Sequence, residues 1–210
     1  MKVSLTAISV KVARLSRRIK MTDNQRTEAD EQLLKALFDD DFKGMEDAIK
    51  NGASLNTPYN EHGTTPFMWI CREHINPSVY EWALKMGADV NQTDDCGHTP
   101  LHILARKRGA FFPCLDILIQ AGANVNAEDI KGNTPLMALL LHPQVRLRMS
   151  VAWGLYDAGT DCTLKNKDGE TAYDIAKANS GFNDDEFLLI LLADATEAQI
   201  HENEQISSSK

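Results

Sequence analysis

Four short stretches of this chain repeat one another: GTTPFM at 63–68, GHTPLH at 97–102, GNTPLM at 132–137 and GETAYD at 169–174. Their threonines, Thr65, Thr99, Thr134 and Thr171, stand 34, 35 and 37 residues apart. A second series runs out of phase with the first: NGASLN at 51–56, MGADVN at 86–91, AGANVN at 121–126 and AGTDCT at 158–163. Its glycines, Gly52, Gly87, Gly122 and Gly159, are spaced by 35, 35 and 37. Two series with one shared period leave few folds open. The chain must be built from copies of a single supersecondary unit, each burying an apolar face on its neighbour.

The residues also say what the unit is. Thr-Pro marks a helix start, because the hydroxyl caps a free backbone N–H and proline at the first helical position has no hydrogen bond to lose. The glycine two residues earlier supplies a positive φ for a tight turn. Gly87 and its equivalents follow apolar-periodic stretches such as Cys114, Leu115, Ile117, Leu118 and Ile119, the place where a helix ends in the left-handed conformation. Each unit therefore reads as turn, helix, loop, helix and glycine stop.

This pattern resembles the ankyrin repeat, whose period is about 33 residues with a T-P-L-H-x-A signature. The resemblance covers residues 30–193 as about five units: 30–58, 59–92, 93–127, 128–164 and 165–193. It implies an all-α solenoid of stacked helix-loop-helix units with short β-hairpin-like fingers. The first unit lacks Thr-Pro and begins DEQLLKALFDDDF. The last replaces proline with Ala172 and ends in DDEFLLILLADA, and both look like caps with a solvated outer side. From threonine to helix-ending glycine the spans are 22, 23 and 25 residues, longer than is usual in the family. The excess falls between the two helices, at HINPS, GAFFPC and LHPQV, where Pro77, Pro113 and Pro143 are each predicted to start the second helix. These longer loops are read either as a second surface or as drift in a tolerant position.

Cys96, His98 and His102 fall within seven positions and raise the question of a metal or nucleophilic site. Thr99-Pro100 places His98 in the turn and His102 in the helix, so the two do not share a helical face as an i,i+4 metal pair does. No metal site and no cofactor are expected. The family's usual geometry implies that His102 ties the turn to the helix. No glycine-rich phosphate loop, G-x-S-x-G elbow or H-E-x-x-H occurs, and the acid clusters at 39–42 and 183–187 read as helix N-termini. The chain is expected not to be an enzyme.

Formal net charge is −8, unevenly placed. Residues 1–20 carry six basic residues and no acid, so the rest of the chain stands at −14. An acidic body repels phosphate backbones, which argues against a nucleic-acid partner. The longest apolar run, at 187–195, is far below the roughly 20 residues of a bilayer span, so no membrane partner is expected. Leu5, Ile8, Val12, Leu15 and Ile19 make residues 1–20 a basic amphipathic segment. It reads as an organelle-targeting presequence or as an extension ahead of Met21. The domain plan is thus an extension over 1–29, repeats over 30–193 and a polar tail over 194–210. Cys71, Cys96, Cys114 and Cys162 show no paired spacing, which predicts reduced thiols in a cytoplasmic protein.

Of the tryptophans, Trp69 and Trp82 are predicted core. Trp153 occupies a slot that holds Glu81 and Asp116 in sister units, so it either folds over Gly154 or stands as an exposed anchor. The resemblance implies a protein partner, bound on the fingers and the concave face of the first helices by a chain that is monomeric on its own. The positions that match are Glu61, His62, Thr64, Arg72 and Glu73 in the second unit, and Asp95, Cys96, His98, Arg106 and Lys107 in the third. In the fourth they are Ile130, Lys131, Asn133, Leu141 and His142. The expected role is an immunity-type inhibitor of a cognate toxin or enzyme. A secreted effector binding a host protein and an organelle-targeted eukaryotic regulator are the alternatives.

Overall fold

Thr27, Thr65, Thr99 and Thr134 each stand at a helix N-cap in extended backbone, their hydroxyls accepting the N–H three residues on. In the computed structural model, residues 27–74, 76–107, 112–141, 149–178 and 193 are described. Among them lie nine helices and no strand. They are α1 (Glu28–Phe38), α2 (Phe42–Lys50), α3 (Pro66–Glu73), α4 (Pro77–Lys85), α5 (Pro100–Arg106), α6 (Phe112–Gln120), α7 (Pro135–Leu140), α8 (Met149–Asp157) and α9 (Ala172–Ala178).

The helices form two layers. The first helices of successive units pack in order, α1 on α3, α3 on α5, α5 on α7 and α7 on α9, and in the second layer α4 packs on α6 and α6 on α8. Between the layers, Phe67, Ile70, Leu101, Leu104, Leu136 and Leu139 meet Tyr80, Leu115, Leu118 and Leu155, all fully buried. Side chains of this size each stabilise by about 1.5–3 kcal/mol on full burial, so the core runs along the stack rather than within one unit. This is the helix-loop-helix solenoid that the two series predict.

The first unit begins at the Thr27 N-cap, three residues ahead of the boundary read from the sequence. There Thr27 and Asp30 make the same reciprocal cap as Thr99 with His102 and Thr171 with Asp174. The second helix of that unit starts from Asp41, whose carboxylate accepts the Gly44 N–H at 3.0 Å, in keeping with the helix-end reading of 39–42. Helix α4 starts at Pro77 as predicted, whereas α6 starts one residue ahead of Pro113. Pro143, the acid cluster at 183–187, the helix expected over DDEFLLILLADA apart from residue 193, and residues 1–20 lie outside the described residues. Trp69 and Trp82 are core, as expected. Trp153 is half-buried, its ring edge-to-face with Tyr156 at 6.2 Å between centroids.

Two sets of bonds between units were not read from the sequence. Asn56, Asn91 and Asn126 each donate a side-chain N–H to the carbonyl of the next unit's helix-ending glycine, Gly87, Gly122 and Gly159. Each of them also accepts the backbone N–H two residues beyond that glycine, from Asp89, Asn124 and Asp161 at 2.8 Å. On the finger side, the Asp95, Ile130 and Lys167 N–H groups donate to the carbonyls of His62, Cys96 and Lys131. Adjacent units are thus stitched along two seams, one after the second helices and one in the fingers ahead of the first helices.

Candidate partner-binding face

Every finger is built on one acceptor. The side-chain oxygen of Asn60, Asp94, Asp129 or Asn166 accepts the backbone N–H groups two and four residues on, at 2.7–3.0 Å. A backbone bond closes the same loop, as in Asp94 N–H to His98 C=O at 3.1 Å. The glycine inside it, at φ 70–79° in the four copies, leaves room for the neighbouring finger. A Cβ added at Gly97 would stand 2.9 Å from the Ile130 nitrogen. This geometry is a tight hairpin-like turn, and it sends the two residues before each glycine outward. Glu61, His62, Asp95, Cys96, Ile130 and Lys131 are accordingly exposed.

His102 is wholly buried and fixes where a finger meets its helix. The Thr99 N–H, which can only donate, points at Nδ1 at 3.2 Å, and Nε2 lies 3.0 Å from the Asn133 carbonyl, which can only accept. The proton therefore sits on Nε2, and one imidazole ties its own turn to the next finger. Burial holds its pKa below the ordinary histidine value, because the charged form would lose its water. Asp174 makes the equivalent cap on Thr171, with bonds of 2.7–3.2 Å, and Met68 and Met137 fill the slot in the second and fourth units. The expectation for His102 holds.

His98, four residues earlier, has the opposite tautomer. Nδ1 lies 3.1 Å from Asp94 Oδ2 and Nε2 lies 2.9 Å from Arg106 Nη1, a group that only donates, so Nδ1 carries the proton. Asp129 Oδ2 is 3.8 Å from Nε2. Burial raises the Asp94 pKa, but the hydrogen bonds from the His98 ring and backbone outweigh it and hold the carboxyl below its usual value. Asp94, Cys96 and His98 present donor atoms that all lie within 4.8 Å of one another. Cys96, His98 and His102 are not the triplet the fold assembles. Asp94, absent from the sequence-predicted set, takes the place of His102.

The other predicted contact residues divide. Arg72 is exposed, lies 4.4 Å over the Trp69 ring and bonds Glu73 at 3.0 Å, which makes a fixed cation at the end of α3. Thr64 is half-buried. Ile130 and Leu141 are 56% and 50% exposed, large apolar side chains at the finger and at the helix end of the fourth unit. Two predicted contacts need correction. Asn133 is 3% exposed, because its side chain bonds Asp129 and Asn166 between fingers, which removes it from the surface. Lys107 is half-buried and its ammonium donates to the His74 carbonyl at the end of α3, so it joins units two and three instead of facing a partner. The expected basic cluster is therefore split, with Arg106 facing the finger. His142 lies outside the described residues.

Cys71, Cys114 and Cys162 are buried cysteines and Cys96 is an exposed one. Burial pushes the Cys162 pKa up to about 11 and raises those of Cys71 and Cys114, so these three are poor nucleophiles.

The family model described as ankyrin repeats (3 copies) matches residues 67–166. Over this stretch the chain is similar to ankyrin repeats. The mouse (Mus musculus) protein named Ankyrin repeat domain-containing protein 37 is similar, at 34% identity over 85 residues. That match covers 40% of this chain and half the length of the relative. Ankyrin repeats are in general protein-interaction scaffolds without catalytic activity. Among the described residues, no helix is long and apolar enough to cross a membrane.

Proposed function

We propose that this chain captures a folded protein partner on the face formed by its finger tips and first-helix ends in units two to four, and so holds a toxin or enzyme inactive. The observation that carries the reading is the row of exposed finger residues, Glu61 and His62, Asp95 and Cys96, Ile130 and Lys131, on turns already closed by side-chain and backbone hydrogen bonds. A surface fixed in this way loses little conformational entropy on binding. Ile130 and Leu141 add apolar area, and Arg72 and Arg106 add two cations held by ring or histidine contacts. The acidic body suits a basic partner, because complementary potentials speed encounter.

Capture from native lysate by the tagged chain, read by quantitative mass spectrometry, tests this. The partner is expected to be retained by the wild type and by a Glu81→Lys, Lys85→Glu variant of the outer helix α4. It is expected to be lost with Arg106→Glu and Ile130→Asp. Full retention by the latter pair overturns the assignment of the face. A captured enzyme or toxin whose activity is unchanged by an equimolar amount of the chain overturns the inhibitor role.

The basic amphipathic pattern of residues 1–20 supports one second reading, a regulator imported into an organelle. Sequencing the N-terminus of the natural protein separates the two, since import predicts a mature chain starting near or after Met21.

A further inference from the structure

We infer that the third finger is a binding site for a transition-metal ion of borderline softness, zinc in the first instance, held by Asp94, Cys96 and His98. A thiol, an imidazole and a carboxylate whose donor atoms lie within 4.8 Å of one another form a mixed N, S, O set. Such a set suits zinc or cobalt and not magnesium or calcium, which take oxygen ligands. Asp94 Oδ2 and His98 Nδ1 are 3.1 Å apart. Two ligands about 2.0–2.1 Å from a tetrahedral ion stand at nearly that separation, so the ion can replace the proton that now joins them. Cys96 must close the remaining distance, and as an exposed residue at the tip it has the room.

The turn itself would survive. Asp94 uses Oδ1 for the Cys96 and His98 N–H groups, which leaves Oδ2 for the ion. On binding, the Nδ1 proton is replaced by the metal, Nε2 takes up a proton, and the Cys96 thiol gives one up. Nε2–H then turns from Arg106 to Asp129, whose Oδ2 is 3.8 Å away. A carboxylate behind the free nitrogen of a ligating histidine is the usual orienting arrangement in metal sites. Arg106, exposed at the end of α5, swings to solvent. Three protein ligands leave a fourth position for water.

The sister fingers supply variants that keep the fold. Asn60 and Asn166 hold their turns with an amide oxygen, so Asp94→Asn keeps the turn and removes the anionic ligand. The experiment titrates the chelator-stripped full chain with zinc by calorimetry and with cobalt by absorption. One equivalent of either metal is expected to bind, with a cobalt–thiolate charge-transfer band that Cys96→Ser abolishes. Asp94→Asn and His98→Thr are expected to weaken zinc by tenfold or more, and Arg106→Ala to tighten it several-fold by freeing Nε2. Failure of the wild type to bind one equivalent overturns the inference, as does affinity unchanged in Cys96→Ser and Asp94→Asn. Binding lost together with the helical circular dichroism of a variant is judged on Arg106→Ala, where tightening supports the site and no change overturns it.

Discussion

The third and fourth fingers share one backbone and differ in almost everything they present. In each, an aspartate accepts the N–H groups two and four residues on, and in each a glycine at φ 76° lets the next finger approach. Yet the third tip carries Asp95, Cys96 and a largely buried His98 gripped by Asp94 and Arg106. The fourth carries Ile130 and Lys131, and its Asn133 is turned inward to Asn166. The side-chain oxygen that shapes a finger comes from a position ahead of its tip, and the tip residues Cys96 and Lys131 give the turn only backbone N–H groups. Shape and surface chemistry are therefore separable, which is what a binding scaffold requires.

Breaking the shared part should cost most. Gly97→Val puts a branched side chain at a positive φ, 2.9 Å from the Ile130 nitrogen, and is expected to destabilise by about 3 kcal/mol in urea unfolding. Gly122→Ala, at φ 87° with nothing within 4 Å of the new Cβ, is expected to cost only about 1 kcal/mol. Equal losses would mean that close finger stacking contributes nothing.

His102→Ala leaves the Asn133 carbonyl and the Thr99 N–H buried without this partner, at an expected cost of about 2 kcal/mol, against about 0.5 kcal/mol for His98→Ala. The same histidine sharpens the comparison through pH. Its folded pKa lies below the ordinary histidine value of about 6.5, so the unfolded chain takes up a proton that the folded chain resists. Stability from this group is complete above about pH 6.5 and falls as the pH drops below it. His102→Met, which installs the residue of the sister units, is expected to shrink the stability difference between pH 7.5 and pH 5.5. The remaining slope belongs in part to His74, also depressed, chiefly by burial.

Smaller effects separate the two seams. Asn91→Ala removes the rung that joins Asn91 to the Gly122 carbonyl and the Asn124 N–H, and is expected to cost about 1 kcal/mol. Asp94→Asn keeps the acceptor and is expected to stay within about 0.5 kcal/mol of the wild type in the absence of metal.

Much of this was legible in the sequence, because repetition converts weak local signals into strong ones. Thr-Pro starts, glycine stops, the buried role of His102 and the exposure of Ile130 and Leu141 all follow from position within the period. The finger acceptors were equally legible and went unread: an Asn or Asp stands five residues before Thr65, Thr99, Thr134 and Thr171 in every copy. So were the asparagines four residues after Gly52, Gly87 and Gly122. What period alone does not give is the partner a side chain finds across the stack. Lys107 shares its slot with the exposed Glu73, and Asn133 shares its slot with the half-buried Thr64, His98 and Glu170; both turn inward because His74 and Asn166 offer acceptor and donor there.

The central claim is that the finger tips meet the partner. Hydrogen exchange of the full chain, free and saturated with the captured protein, tests it most directly. The account predicts slowed exchange at amides 61–64, 95–98 and 130–133, with little change along α4 and α6. Slowed exchange confined to α4 and α6, with the fingers unchanged, would contradict it.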